Sequence, residues 1–372
     1  MSYNIKMDLS KVYLITTKDI NESSQTILNI YGKVIFFGYR DFIDRIVNGD
    51  CCFICGEKPE TKEFNNEHII PKWILKIFNL YSRTITLPNK ADVMYGKYTV
   101  PCCKECNMVL GKTYEKPISK LLSKSYTEIV ERITTNPQTI GMIYKWLCLI
   151  YLKTHLKDTC YNFHLDSRKG KEKISDIHSW HDLHHLHCIA RSHYTEANIE
   201  DNVVGTLIFL PIIHQKGEEK FNYMDFASSQ VILLQLNEFC IISALNDCCA
   251  GTTFLKDLLS KIKFPLTKFQ VFEIIANLIY IYTNLKKRPE FFSSIKPPEG
   301  YKISAKLPKY YALVNINKRA GSVGEILKEL VQNDLSSHPE KDKILREIKE
   351  NRRSYLFNEK GEILDYSKST IA

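Results

Sequence analysis

The sequence predicts an α+β protein, with a small cysteine-stapled module ahead of a larger mixed α+β C-terminal domain. Three observations predict it. Two Cys-x-x-Cys pairs, Cys52/Cys55 and Cys103/Cys106, lie at the two ends of one short stretch, residues 51–116. Residues 203–246 form apolar runs rich in Ile, Val and Phe, broken by polar turns as strands are. At 118–156 and 253–286 the apolar residues recur at helical spacing. A chain of 372 residues has room for two domains and a small module. We expect a short α/β segment at 1–47, the cysteine module at 48–132 and the larger domain at 133–372.

In chain order, residues 11–17 and 33–39 each carry the β-branched and aromatic content of a strand. Residues 41–47 read as a short amphipathic helix ending at Gly49. This segment is too small to fold alone, so its strands must join another part of the chain.

The cysteine module follows. Tetrahedral zinc takes four soft or borderline ligands, and a two-residue spacer lets one tight turn aim two thiolates at one ion. Cys52, Cys55, Cys103 and Cys106 therefore read as one closed structural Zn2+ site. Between the pairs stands Glu67-His68-Ile69-Ile70-Pro71, which suits the end of a short strand holding an imidazole beside a cleft. Asn107 directly follows the last cysteine, where a helix over roughly 104–114 should begin. The zinc would pin strand to helix and bring His68, Glu67 and Asn107 close together. A neutral imidazole takes a proton from water near physiological pH. A carboxylate and an amide oxygen are hard ligands suited to Mg2+ or Mn2+. A general base and one hard cation are the minimum set for hydrolysing a phosphodiester.

At these residues the chain resembles the HNH (ββα-metal) nucleases, in the zinc-stapled subtype that includes the phage endonuclease VII resolvases. It is also similar to bacterial HNH proteins carrying an E-H-I-I-P-K-W signature, present here from Glu67 to Trp73. The resemblance implies that His68 is the general base that activates water. It implies that Asn107 ligates the catalytic divalent metal, with Glu67 standing where the family more often has Asp. The central Asn of the pattern has no assigned match. The resemblance covers roughly residues 48–120 and says nothing of the rest.

From Trp73 to Val100 the module carries an insertion, read as a helix at 74–81 and strands at 84–87 and 98–100. Lys72, Lys76, Arg83, Lys90, Lys97, Lys104 and Lys112 recur through it. From 51 to 132 there are 13 Lys/Arg against nine Asp/Glu. Such residues can contact phosphates and position a duplex without reading its bases. No array of base-reading side chains is identifiable.

Beyond the module, residues 140–156 read as a nearly apolar core helix joining the two halves, and 166–175 as an exposed loop. His178, His181, His184, His185, His187 and His193 cluster next. No carboxylate or cysteine completes a familiar ligand spacing there, residues 186–190 alternate like a strand, and the histidines read as ordinary surface and packing groups. Strands at 203–213, 221–227 and 230–245 precede helices at 253–262 and 267–286. A strand at 310–314, helices at 323–331 and 339–353, and a terminal hairpin at 355–364 turning at Glu359-Lys360-Gly361 complete the chain.

A net charge of +9 fits contact with a polyanion but is too mild for a nucleic-acid wrapper. Twelve cysteines and no signal peptide point to a reducing compartment, so we expect a cytoplasmic protein. Cys148, Cys160, Cys188 and Cys240 read as small buried hydrophobes. The most apolar stretch, 271–285, is too short for a membrane span and contains Glu273.

Two functions remain open on these grounds. The first is a divalent-metal-dependent DNA endonuclease whose C-terminal domain answers a regulatory protein or signal, as in phage-defence effectors. The second is a zinc-stabilised nucleic-acid-binding or scaffolding protein without catalysis.

Overall fold

The computed structural model describes residues 13–16, 25–166, 168–296 and 300–367. In chain order the strands are β1 (Tyr13–Thr16), β2 (Ile27–Leu28), β3 (Val34–Phe36), β4 (Phe64–His68), β5 (Thr84–Thr86), β6 (Asp92–Met94), β7 (Thr99–Cys103), β8 (Asn198–Ile199), β9 (Thr206–Pro211), β10 (Phe221–Phe226), β11 (Val231–Leu236), β12 (Phe239–Ala244), β13 (Glu290–Lys296) and β14 (Gly300–Lys306). The helices are α1 (Tyr39–Asp41), α2 (Lys72–Ile77), α3 (Lys104–Leu110), α4 (Lys116–Leu122), α5 (Tyr126–Thr135), α6 (Pro137–Asp158), α7 (Trp180–Ala190), α8 (Ser192–Thr195), α9 (Ala250–Lys261), α10 (Lys268–Thr283), α11 (Val323–Val331) and α12 (Lys341–Lys349). The architecture is mixed α+β. The chain divides into two compact units: one takes Met1–Lys124, Ile133–Val203 and Glu290–Lys306, the other Ser125–Arg132, Val204–Pro289 and Leu307–Ala372.

The first unit holds the cysteine module. Its N-terminal hairpin β2–β3 leads into a helical turn that widens to a π-helix at Phe42–Val47, with Asn48 N–H donating five residues back to Ile43 O at 2.9 Å. The hairpin is tied to the first cysteine turn by Arg191, which is fully buried and donates to the carbonyls of Val34 (2.8 Å), Ile35 (3.0 Å) and Ile54. A guanidinium has five donors in a fixed fork, so one side chain can satisfy three carbonyls. Strands β1, β13, β14 and β8 form a sheet in that order, with the last pair parallel. Of the strand expected at 11–17, Tyr13–Thr16 pairs antiparallel with β13; residues 11, 12 and 17 lie outside the described residues.

Helix α6 runs 22 residues, capped by the Asn136 side chain and started by Pro137. It is buried almost without interruption from Ile143 to Asp158, which matches its apolar composition on every face. Residues 186–190 belong to helix α7, where strand was expected. A five-residue apolar run fits either period; here Leu183, Leu186, Ile189 and Ala190 fall three and four apart and are all buried.

The second unit is built on an antiparallel meander in the order β10-β11-β12-β9. Strands β11 and β12 are buried at every position, which explains their largely apolar sequence, with only Gln235 and Ser243 polar. Val231, Leu233, Cys240 and Ile242 pack in one core with Val271, Ile275 and Leu278 of α10, Leu327 and Val331 of α11 and Ile344 and Ile348 of α12. Helix α10 starts on a capping box, Thr267 with Gln270, and α11 on another, Ser322 with Glu325. Residues 310–314 form no strand: the only pairing there among the described residues is a lone bridge, Leu285 to Leu313. The terminal hairpin is present as a bridge between Phe357 and Ile363, its turn closed by Gly361 N–H to Asn358 O at 3.0 Å.

Candidate metal centre and active site

Strands β4 and β7 pair antiparallel, Phe64 opposite Cys103 and His68 opposite Thr99, and α3 follows β7 without a break. This juxtaposition sets the cysteines. Cys52 opens a tight turn in which Gly56 N–H returns to Cys52 O at 2.8 Å. Gly56 has φ +79°, and a Cβ there would lie 2.4 Å from the Phe37 ring, so the turn needs glycine on both counts. Cys103 caps α3, its sulfur accepting Cys106 N–H at 3.4 Å. The sulfurs of Cys52, Cys55, Cys103 and Cys106 all lie within 4.8 Å of one another, with Cys55 and Cys103 at 3.7 Å. Tetrahedral zinc with Zn–S bonds of about 2.3 Å sets sulfurs about 3.8 Å apart. The four cysteines are placed to bind a metal ion, and the site is compatible with structural zinc. Hydrogen bonds from the Cys102 and Cys106 thiols push the Cys52 thiol pKa down. Cys102, 3.8 Å from Cys52, is a fifth thiol at the site that the spacing did not single out. Cys148, Cys188 and Cys240 are buried as expected, whereas Cys160 is exposed.

His68 ends β4, half-buried. Its Nδ1 is buried without a hydrogen-bond partner, the Gly96 backbone lies near the ring, and Tyr81 meets it edge-on with centroids 6.2 Å apart. Burial, then the charge of Lys72, push its pKa below the usual value, so the imidazole is neutral at pH 7. Gly96 lies in the insertion, where a Cβ would come within 2.7 Å of Tyr81 O. Its part could not be read from side chains, because it acts through the backbone.

Glu67 points its Oε1 at Lys153 Nζ, 2.8 Å away, and Lys153 also donates to His68 O at 2.7 Å. Lys153 comes from α6 and its side chain is 2% exposed. Close to this pair lies Glu115, held by the indole N–H groups of Trp73 and Trp146 at 3.1 Å each. Burial raises the Glu115 pKa, and Lys153 counteracts it. Two members of the E-H-I-I-P-K-W stretch, Glu67 and Trp73, are therefore anchored by buried partners. Sequence reading missed Lys153 and Glu115; a lysine directly after the apolar run 146–152 was the available signal.

Asn107 donates from Nδ2 to Asn65 Oδ1 at 2.7 Å. Side chains alternate along a strand, so Asn65 and Glu67 share the β4 face on which Asn107 packs, while His68 turns to the insertion. The three predicted residues are thus distributed along β4, Asn107 against Asn65 near its start and Glu67 and His68 at its end on opposite faces, each engaged by a different neighbour. The basic residues Lys72, Lys76, Arg83, Lys90, Lys97, Lys104 and Lys112 are all exposed on this module.

The histidine cluster is structural for the most part. His184 and His187 bond the carbonyls of Phe37 (2.8 Å) and Phe53 (2.7 Å), His181 stacks on Tyr39, and His185 on Phe291. No helix is long and apolar enough to cross a membrane among the described residues. None of the family models, curated proteins and solved structures compared with the chain matches it.

Proposed function

We propose that the protein is a divalent-metal-dependent HNH-type endonuclease that hydrolyses DNA phosphodiester bonds. One observation carries the reading: His68 is a neutral imidazole whose buried Nδ1 has no hydrogen-bond partner, at the end of a strand paired with the one that leads into the cysteine-capped helix. A neutral imidazole nitrogen that no protein group bonds is available to take a proton from a water admitted to the site. The hard donors fit a divalent cation. Asn107 spends its Nδ2 on Asn65, which leaves Oδ1, and Glu67 spends Oε1 on Lys153, which leaves Oε2. A cation held by Glu67 and Asn107 would supply stabilisation of the charge that develops on the phosphate. His68 takes the proton of the attacking water, Lys153 fixes Glu67 and the strand end, and the exposed lysines hold the DNA backbone. The second unit, and the C-terminal residues it holds, would then carry control by a partner protein or signal, as in a phage-defence effector; this step is analogy between large regulated nucleases.

The same contacts favour a second reading, a non-catalytic zinc-stabilised nucleic-acid-binding or scaffolding protein. In it Glu67 and Asn107 are structural, as their bonds to Lys153 and Asn65 allow. Cleavage of plasmid DNA with Mg2+ or Mn2+ by wild type, His68→Ala and Asn107→Ala separates the two. The enzyme reading expects cutting by wild type and loss in both variants with zinc and fold retained. Cutting that survives both substitutions removes the proposed site.

A further inference from the structure

The last turn of α6 and the residue after the short helical turn Ile174–Ile177 bring His155, Asp158 and His178 together. One ligand atom from each lies within 4.8 Å of the other two. His155 and Asp158 are 1% and 3% exposed, and the His178 side chain is 2% exposed. His178 Nε2 stands 2.8 Å from Asp158 Oδ2, and the two imidazole rings meet at a steep angle with centroids 4.4 Å apart. His155 and Asp158 are three apart on the helix, hence on one face.

The chemistry of this set is that of a metal site. His155 Nδ1 lies 2.8 Å from Tyr151 O, a carbonyl that can only accept, so Nδ1 carries the proton and Nε2 carries the lone pair. Metal-bound histidines are oriented in this way, by donating the other ring N–H to a backbone carbonyl. His178 Nδ1 is buried and has no hydrogen-bond partner. The cluster sits at the C-terminal end of a 22-residue helix, where the aligned peptide dipoles favour a cation. Two imidazoles and one carboxylate form a borderline donor set that suits Zn2+ and its neighbours and not Mg2+ or Ca2+.

We propose that His155, Asp158 and His178 form a second metal site of the zinc class, separate from the cysteine quartet and independent of the nuclease reading. Three protein ligands leave a fourth position for water. The ion would clasp the segment 159–178 to the end of α6, since His178 is the only one of the three ligands that lies beyond the helix. A plain His178–Asp158 ion pair is the competing explanation, and the two differ in stoichiometry.

The test is zinc content of the full chain after exchange into metal-free buffer, for wild type, His155→Gln and His178→Gln. Co2+-substituted protein supplies a second readout, because thiolate-to-cobalt charge transfer belongs to the cysteine quartet alone. The proposal expects each variant to lose one equivalent of zinc while the thiolate band keeps its full intensity. It is overturned if the variants hold as much zinc as wild type. It is also overturned if wild-type protein, its thiolate site filled, takes up no further Zn2+ in a titration; that measurement decides even where a variant fails to fold.

Discussion

Replacing His185 by phenylalanine should make the first unit resist acid. His185 is 3% exposed, its ring lies 3.7 Å from that of Phe291, and its Nε2 has no hydrogen-bond partner. Burial, reinforced by the neighbouring His184, pushes its pKa down to about 3. In the unfolded chain the value is about 6.5. Near pH 7.5 both states are neutral and protonation contributes nothing. As pH falls through 6.5 the unfolded chain takes up a proton that the folded one refuses, so stability falls by about 1.4 kcal/mol per pH unit. By pH 4.5, two units below, the share lost to His185 is about 2.7 kcal/mol. Phenylalanine keeps the ring stacked and cannot take the proton. His184 and His193, each pushed down to about 4 mainly by burial, titrate in both proteins and cancel, as does acid release of any bound metal. The assay is urea unfolding followed by tryptophan fluorescence. All three tryptophans, Trp73, Trp146 and Trp180, belong to the first unit, so the signal reports that unit alone. The variant should gain on wild type by about 2.7 kcal/mol between pH 7.5 and 4.5. A difference that does not change with pH would refute the reasoning.

Four further outcomes follow from the same structure. Lys153→Met leaves Glu67 and Glu115 without their shared cation, and should cost on the order of 3–5 kcal/mol in the same unfolding assay. Gly96→Ala must move either the backbone or Tyr81, because its Cβ would sit 2.7 Å from Tyr81 O; the His68 titration seen by NMR should shift while the zinc content does not. If His68 is the base, cleavage should stay on its plateau to pH values below 6.5 and fall only as the neutral ring is lost at lower pH, since burial depresses its pKa. Glu273→Gln weakens a carboxylate that accepts from Ser354 Oγ and from the N–H groups of Tyr355 and Leu356. Amide exchange over 354–364 should quicken, corresponding to a loss of about 1–3 kcal/mol.

Much of the protein is written in local sequence. The four cysteines placed to bind a metal ion follow from two spacers, because a two-residue spacer lets one tight turn aim two ligands at one ion. Strands β9 to β12 follow from runs rich in Ile, Leu, Val and Phe set off by polar turns, and α11 from its capping residues Ser322 and Glu325 and its apolar spacing. The reading failed where short patterns were ambiguous, as at residues 186–190, and where the described residues supply only a lone bridge, as at 310–314. Only the tertiary structure decided the buried polar pairs. Arg191 meets Ile54 across 137 residues, Lys153 meets Glu67 across 86, and His178 meets Asp158 across 20. The physical reason is that periodicity and turn chemistry act over a few residues and choose faces. A buried charge is instead settled by whichever distant group the packed chain brings within 3 Å, and no local pattern records that group.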